Sequence, residues 1–543
     1  MVSALNPKLG ERDASAILES TYAPKTGQPP AAARPVAIIV NHGMGQQVPY
    51  ETLEGIAKAV SYGIQRKVNT ATAPDSVIRR VRLGTEGKDA VETELVRAEI
   101  KIRDNLEVHI YESYWAPLTE GKVTLKDVMS FLFDAGWNGF MNTTAKKGYQ
   151  RWMFGKEQNF GLPRFRLMVT LAALMLLLLA LVFMNGVLAA AAASHAIGGG
   201  HSFPGALTAP LTFDFIVADC AAVLIVLGTL ALPWLYKKAI KNAGVRRWLT
   251  RQGWLLVIPG AFLIFVAGFA MPFQLAGYHP ENFLLPPLAR WATSLASGHD
   301  VWITLLWGGE LLAAYAARWF LIEYVGDVAA YIAAHTVSKF YELRQQIWQT
   351  AMKVSRAVYR AQADHKPSSD HPGFLYQTII MVGHSLGSVI GYDVLNGLLL
   401  EEALSKDSLR VAERTRMFLT FGSPLDKTAF LFRTQREMCP PVQELAAAAV
   451  QPMIQDYQNR PREWVNLYSK SDIISGALDY YDPPNKDNAK DKTPFLDPRS
   501  APIADSRAVQ NERDPDACTP LAAHVEYWES PLFAKKLVDG ITT

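Results

Sequence analysis

Four long apolar stretches interrupt this chain of 543 residues and constrain its fold more than any other feature. They occupy residues 167–193, 215–236, 254–275 and 301–322. Each is long enough for a helix to cross the hydrocarbon core of a bilayer, which takes about 20 residues. The fourth contains Glu310 and Arg318, so a buried helix of a soluble domain is its competing interpretation. The pattern predicts a transmembrane insertion of four helices.

The basic residues around these stretches predict their orientation. Six Lys and Arg residues lie in 144–166 and six in 237–251, whereas 194–211 contains none and 276–300 contains one. Because basic residues concentrate on the cytoplasmic side of transmembrane helices, both ends of the insertion are predicted to be cytoplasmic. The N-terminus lacks the apolar core of a secretory signal and the chain is rich in alanine, so we expect a multi-pass protein of a bacterial inner membrane.

The insertion divides the chain into four predicted regions. They are a flexible N-terminal leader at 1–34, the first part of an α/β domain with a juxtamembrane segment at 35–165, the insertion at 166–324 and the second part of the α/β domain at 325–543. Strand-like and helical patterns alternate in both parts of the domain, which is typical of the α/β class. Within the last region, the Pro-rich and charged segment 475–520 is either a flap over a site or an exposed connection.

Composition excludes several classes of function. The 54 Lys and Arg residues against 51 Asp and Glu residues give a net charge of +3, which is too balanced for a dedicated nucleic-acid-binding protein. The three cysteines, Cys220, Cys439 and Cys518, are far apart and fit neither a disulfide framework nor a zinc site. We therefore expect no nucleic-acid partner, no metal and reduced thiols. The oligomeric state is not predicted.

The strongest chemical signal is a G-x-S-x-G motif between an apolar strand and a helical pattern. In this setting the motif forms a nucleophile elbow, because two small residues permit the sharp turn that lifts the serine hydroxyl above the sheet. The alternative is a Gly-rich turn whose serine caps the helix. We predict Ser385 to be a nucleophile. The predicted elbow comprises Gly383, His384, Ser385, Leu386 and Gly387.

A serine nucleophile needs a base and an acid, which follow it along the chain in the order acid and then histidine. His524 is the one histidine after Ser385 and is the predicted base. Asp472 follows the strand-like run 464–468 by a short turn and is the favoured acid. Asp426, which follows another apolar strand, is the second candidate.

Hydrolysis of an acyl group also needs hydrogen-bond donors for the developing oxyanion. The backbone N–H of Leu386, directly after the nucleophile, is the first predicted donor. The second is Met44, in the loop His42-Gly43-Met44 that follows the apolar strand 36–41. This Gly-rich loop lacks the further residues of a phosphate-binding or dinucleotide-binding motif, so we expect no nucleotide cofactor.

The chain resembles the α/β-hydrolase superfamily, most closely its lipase and esterase branch, in the motifs NHGMG, GHSLGSVIGYDVL and FGSPL, in the aspartate after WVNLY and in the late histidine. The resemblance covers 35–111 and 325–531 and implies a mostly parallel sheet with flanking helices. It departs from the superfamily in one respect. The four predicted spans separate the oxyanion loop from the nucleophile, whereas such hydrolases keep these two elements much closer together.

These motifs predict a membrane-embedded serine hydrolase that cleaves an acyl ester, with a lipid as the expected substrate and the bilayer as its partner. Met44 and Ser385 belong to one site and must lie on the same side of the membrane, which requires an even number of spans. Four spans satisfy this condition. Two other functions remain open: a catalytically inactive membrane scaffold with the same fold, and an acyltransferase that uses the same serine.

Overall fold

A computed structural model describes the larger part of both halves of the predicted α/β domain and the middle of the insertion. The described residues are 18–20, 35–44, 48–68, 74, 76–83, 93–103, 106–144, 149–150, 159–160, 183, 186–187, 205–278, 286–287, 290, 315, 318–319, 322, 326–332, 338–362, 373–405, 408–431, 451–455, 460–478, 481 and 507–542. Most of the predicted leader 1–34, of the spans 167–193 and 301–322, and of the segment 475–520 lies outside them.

Eleven strands are present in the described part of the chain, and nine of them form one sheet. The strands are β1 (Leu18–Ser20), β2 (Val36–Asn41), β3 (Ser76–Leu83), β4 (Thr93–Arg103), β5 (Leu106–Ser113), β6 (Tyr149–Gln150), β7 (Asn159–Phe160), β8 (Thr378–His384), β9 (Thr415–Phe421), β10 (Glu463–Tyr468) and β11 (Val509–Arg513). The sheet order is β1-β3-β4-β5-β2-β8-β9-β10-β11, and β6 pairs with β7 in a separate hairpin. β1 lies in the predicted flexible leader, so three residues of that segment belong to the sheet edge.

The sheet is mixed. β5, β2, β8, β9, β10 and β11 run parallel, whereas β4 is antiparallel to both of its neighbours, β3 and β5. β2 and β8 are continuous apolar runs buried on both faces, as expected for central parallel strands. The predicted α/β class is therefore confirmed, with a sheet that is parallel where the two halves of the domain meet.

Helices from the two parts of the α/β domain cover both faces of this sheet. The helices of the described residues, including those of the insertion, are α1 (Glu51–Val68), α2 (Leu125–Thr144), α3 (Gly205–Val226), α4 (Leu232–Ala239), α5 (Ala243–Arg251), α6 (Trp254–Leu275), α7 (Gly326–Ile332), α8 (Ser338–Arg360), α9 (Leu386–Leu404), α10 (Val411–Arg414), α11 (Leu425–Leu431), α12 (Pro452–Gln455), α13 (Ala523–Glu526) and α14 (Pro531–Thr542). Alternate residues of β2 enter opposite cores, because successive side chains of a strand point to opposite faces. Ile38 packs with α1 and α14, and Ile39 packs with α8 and α9.

The register of the central strands brings their carboxyl ends to one edge. Asn41 of β2 pairs with Gly383 of β8, and His384 of β8 pairs with Phe421 of β9. Phe421 in turn pairs with Leu467 of β10. Loops that leave these strands therefore start side by side, at the edge where open α/β sheets carry their sites.

Two helical segments, Ile216–Ala239 and Ala243–Gln274, are long and apolar enough to span a membrane, with mean hydropathies of 2.2 and 2.3. About a third of each is buried, 28% and 33% of the most apolar windows, whereas a core helix of a soluble protein is mostly buried. They cover the predicted spans 215–236 and 254–275 except for residues 215 and 275, and these two spans are confirmed as membrane-length apolar helices. The described residues hold two such helices where the sequence predicts four.

Candidate active site

Ser385 occupies the sharp turn between β8 and α9. Its backbone has φ 52° and ψ −126°, a conformation that costs a non-glycine residue about 1–3 kcal/mol and persists only where the surroundings enforce it. The Ser385 N–H donates a hydrogen bond to the Phe421 carbonyl at 3.1 Å. A Cβ atom at Gly387 would lie 2.1 Å from the Asn41 carbonyl oxygen, so the second glycine of the motif allows α9 to start against the end of β2.

His524 and Asp472 complete a hydrogen-bonded chain with this serine. His524 Nε2 lies 2.8 Å from Ser385 Oγ, and His524 Nδ1 lies 3.0 Å from Asp472 Oδ2. The two parts of the chain that provide them follow β10 and β11, which neighbour each other in the sheet. The structure thus brings together the three residues that the sequence predicts as nucleophile, base and acid. A chain of this kind activates a serine hydroxyl for nucleophilic attack.

The carboxylate of Asp472 is buried and held on both oxygens. The Ile474 N–H donates to Oδ1 at 2.8 Å, and the Tyr527 hydroxyl donates to Oδ2 at 3.1 Å. Burial would raise the pKa of Asp472, but the hydrogen bond and charge of His524, together with the Ile474 N–H, hold this pKa well below its usual range. Asp472 is therefore an anion aimed at the His524 ring.

Asp426, the second candidate acid, has a different position. Its carboxylate is buried, forms an ion pair with Lys427 at 3.0 Å, and lies where a Cβ atom at Gly476 would fall. Burial raises its pKa. The hydrogen bond of His524 Nδ1 goes to Asp472 and not to this group.

The predicted oxyanion loop lies against the elbow. A Cβ atom at Gly43 would be 3.0 Å from the Ser385 Cβ. The loop that follows β2 therefore passes beside the serine, and Met44 is the next residue of this loop. On the other side, Leu386 is the first residue of α9, and the N–H groups of a first helical turn have no partner within their helix. These two backbone positions are the predicted oxyanion donors.

His42 holds this loop in place. The Trp115 N–H donates to its Nε2 at 3.1 Å, so the ring proton is on Nδ1, which donates to the Gly43 carbonyl at 2.8 Å. The ring also stacks on Trp115, with 4.5 Å between ring centroids. Burial lowers the pKa of His42 to about 4, which keeps the ring neutral and this tautomer occupied. His42 is therefore a support of the loop and not a second base.

His384, the middle residue of the elbow, supports the histidine-bearing segment. Its Nε2 donates to the carbonyl oxygen of His524 at 3.0 Å. Burial lowers its pKa to about 3, so the ring stays neutral. Its ring also lies against Phe421 and Trp528, with centroids 4.9 and 5.3 Å away. The elbow thus fixes the backbone of His524 as well as contacting its side chain.

Sequence reasoning missed Tyr527 and Glu526. Tyr527 bonds Asp472 and also lies 2.9 Å from Ser475 Oγ. Glu526 accepts hydrogen bonds from the N–H groups of Cys518 and Thr519, at 2.7 and 2.9 Å, and so ties the preceding loop to α13. Their proximity to His524 in the sequence was the available signal, because polar groups within a turn of a catalytic histidine often orient it.

One cluster away from the triad has the residue types of a metal site. Glu99, Glu107 and His109 have ligand atoms within 4.8 Å of one another, on β4 and β5. The Glu99 carboxylate already pairs with Arg97, and His109 Nδ1 lies 2.7 Å from the Tyr376 hydroxyl. These contacts make the cluster a buried polar network of the sheet.

Comparison of the chain with protein-family models, with curated protein sequences and with solved structures finds no significant match. Function therefore rests on the geometry of the site itself.

Proposed function

We propose that this protein is a membrane-embedded serine hydrolase of the α/β-hydrolase superfamily that cleaves an acyl ester, with a lipid as its substrate. The observation that carries the proposal is the continuous hydrogen-bonded chain from Ser385 through His524 to Asp472. The strained turn at Ser385 adds support, because such strain persists at functional sites.

In the proposed reaction, Ser385 Oγ attacks the carbonyl carbon of the ester while His524 Nε2 takes the hydroxyl proton. Asp472 stabilises the imidazolium that forms and keeps the proton of Nδ1 directed toward itself. The tetrahedral intermediate collapses when His524 gives its proton to the leaving alkoxide, which departs as an alcohol. Water then repeats the sequence on the acyl-enzyme, with His524 as base, and releases the carboxylic acid.

The oxyanion of both tetrahedral intermediates would be held by the N–H groups of Leu386 and Met44. The position of Leu386 favours binding of the oxyanion for two reasons. The start of α9 carries the positive end of the helix dipole, and the Leu386 N–H directly follows the nucleophile. Removing one such donor typically costs about 10²–10³-fold in kcat. A side chain at position 43 would crowd Ser385, because a Cβ atom there would lie 3.0 Å from the Ser385 Cβ.

A lipid substrate follows from the proposed location of the site. The apolar segments Ile216–Ala239 and Ala243–Gln274 support membrane insertion, and Arg247 near the start of the second segment contacts the loop that precedes His524. In the proposed topology the triad lies on the cytoplasmic side of a bacterial inner membrane, because the basic segment 237–251 lies on that side. An ester at headgroup depth is then the nearest substrate.

The test is covalent labelling with a fluorophosphonate, which reacts with activated serines. The wild-type protein in detergent should be labelled, with the adduct on Ser385, and Ser385→Ala should not be. Ser408→Ala, at a surface position on the same domain, is the matched control and should be labelled like the wild type. Labelling that persists in Ser385→Ala would refute the assignment, and an unlabelled but folded wild type would favour a scaffold.

A further inference from the structure

The region where the two membrane-length segments meet, residues 232–251, is distinctive in charge and in shape. It contains α4 at the end of the first segment, with Lys237 and Lys238 in its last turn, and the amphipathic helix α5 at the start of the second, which follows a turn capped by Asn242. Asn242 accepts hydrogen bonds from the Gly244 and Val245 N–H groups, so the start of α5 is well defined. Because it joins two spans, this segment lies at the level of the lipid headgroups.

One side of α5 contacts the catalytic domain. Arg247 Nη1 lies 3.0 Å from Asp516 Oδ1, and Arg251 Nη2 donates to the Pro515 carbonyl at 3.2 Å. Both partners belong to the loop between β11 and α13, and α13 carries His524. The insertion is thus attached to the part of the domain that holds the catalytic histidine.

A neighbouring side of α5 is apolar and exposed. Val245 and Trp248, one turn apart on the helix, are 48% and 60% exposed. Trp234 at the end of the preceding span is 59% exposed, and the Lys238 ammonium lies 3.7 Å from the centre of its ring. Exposed tryptophans beside basic residues are typical of a helix that lies in the interface of a membrane.

Three cations of this segment make no salt bridge within the described part of the chain. Lys238 and Lys241 are exposed and Arg246 is half-buried, whereas Lys237 and Arg247 pair with Glu529 and Asp516. No acidic group of the described residues therefore neutralises these three cations. At headgroup depth the complementary group is the phosphate of an anionic lipid.

We propose that Trp234, Lys238, Lys241, Val245, Arg246 and Trp248 form an interfacial surface that binds the headgroups of anionic phospholipids. The apolar side chains enter the boundary between headgroups and acyl chains, and the cations bind the phosphates. Through Arg247 and Arg251 this contact holds the His524 loop at the membrane. The inference rests on the membrane insertion in the proposed function and is independent of the serine chemistry.

The experiment measures which lipids contact the full-length protein. The protein is reconstituted in phosphatidylcholine vesicles that contain a trace of spin-labelled phosphatidylglycerol or spin-labelled phosphatidylcholine, and electron paramagnetic resonance gives the immobilised fraction of each. The wild type should prefer phosphatidylglycerol. Lys238→Gln/Lys241→Gln/Arg246→Gln should lower this preference at least about five-fold, the effect of about one basic residue at an anionic surface.

Two further variants make the result specific. Lys353→Gln/Arg360→Gln/Lys535→Gln removes three exposed cations from α8 and α14 and should keep the wild-type preference. Lys241→Gln alone removes an exposed side chain and should lower the preference in part even if the triple variant fails to fold. Equal immobilisation of both lipids by the wild type, or an unchanged preference in Lys241→Gln and the triple variant, would overturn the inference.

Fluorophosphonate labelling of the same vesicles separates this inference from the proposed function. Labelling of Ser385 without a preference for phosphatidylglycerol would refute the interfacial surface alone. A preference for phosphatidylglycerol without labelling would refute the serine hydrolase alone.

Discussion

Asp472→Asn is the change that most directly tests the proposed triad. The Ile474 N–H would keep the amide oxygen of the new residue in the position of Oδ1, at 2.8 Å in the wild type. The amide nitrogen would then face His524 Nδ1 and donate to it. With Nδ1 acting as acceptor, the ring proton moves to Nε2, which can no longer accept the proton of Ser385.

The expected loss follows from this tautomer. The variant retains the shape of the site and the strained backbone of Ser385. Nε2 of His524 already carries a proton before the reaction, however, so it cannot act as the base. We expect kcat to fall about 10⁴-fold. This corresponds to about 5 kcal/mol of transition-state stabilisation, at 1.36 kcal/mol for each factor of ten. KM for the ester should change little, because Asp472 is buried beneath His524.

The assay is hydrolysis of a soluble short-chain 4-nitrophenyl ester by the detergent-solubilised protein, corrected for the folded fraction. Asp426→Asn is the matched control, since Asp426 also has a largely buried carboxylate and follows a parallel strand. It should lose stability, because Lys427 loses its partner, but the folded protein should keep kcat within about ten-fold. A large loss of kcat in Asp426→Asn with activity retained in Asp472→Asn would refute the assignment of the acid.

Two other predictions concern the supports of the triad. Tyr527→Phe removes one hydrogen bond to the Asp472 carboxylate and should lower kcat about 10-fold or more, at about 1.5–3 kcal/mol for a bond to a charged group, with KM unchanged. Burial lowers the pKa of His42 from 6.5 to about 4, so between these values the unfolded chain binds a proton that the folded chain does not. The free energy of unfolding should therefore fall by about 3 kcal/mol as the pH is lowered through this window. Thermal unfolding in detergent between pH 7 and pH 4 should show a weaker acid dependence for His42→Gln, and an unchanged dependence would contradict the buried neutral ring.

The nucleophile and base could be predicted because local pattern and chain order restrict them strongly. Ser385 lies between a strand and a helix, and a single histidine follows it. The acid was harder to choose, since Asp426 and Asp472 both follow strands whose carboxyl ends meet at one edge. The two aspartates differ in local structure. The Asp472 N–H donates to the Ser469 carbonyl in a short turn, and its carboxylate bonds His524, whereas Asp426 lies in the first turn of α11.

The supports of the site were not predictable from pattern. The contact of His384 with the His524 carbonyl depends on how α13 packs against the elbow, and that packing spans 140 positions of sequence. The bond from Tyr527 to Asp472 depends on the 3-10 turn Tyr527–Glu529 after α13. The antiparallel pairing of β3 with β4 was likewise not predictable. The direction in which two strands pair is set by the connection between them and not by the periodicity of their residues.

The two halves of the domain meet where the insertion leaves and returns. A Cβ atom at Gly326, the first residue of α7, would lie 3.0 Å from Val123, which precedes α2. The chain therefore re-enters the domain at α7 beside the residues that precede α2. In the proposed topology, a return to the same domain requires an even number of crossings.

Contact of α5 with the catalytic domain bears on that number. Because Arg247 and Arg251 contact the loop before His524, the proposed topology places the junction of the two described spans on the domain's side of the membrane. In the proposed topology the start of α3 and the end of α6 would lie on the opposite side of the membrane. The proposal then needs one crossing between α2 and α3 and another between α6 and α7, and the sequence predicts the spans 167–193 and 301–322 at these places. The contact of α5 with the domain is therefore consistent with the proposed four spans, including the one that carries Glu310 and Arg318.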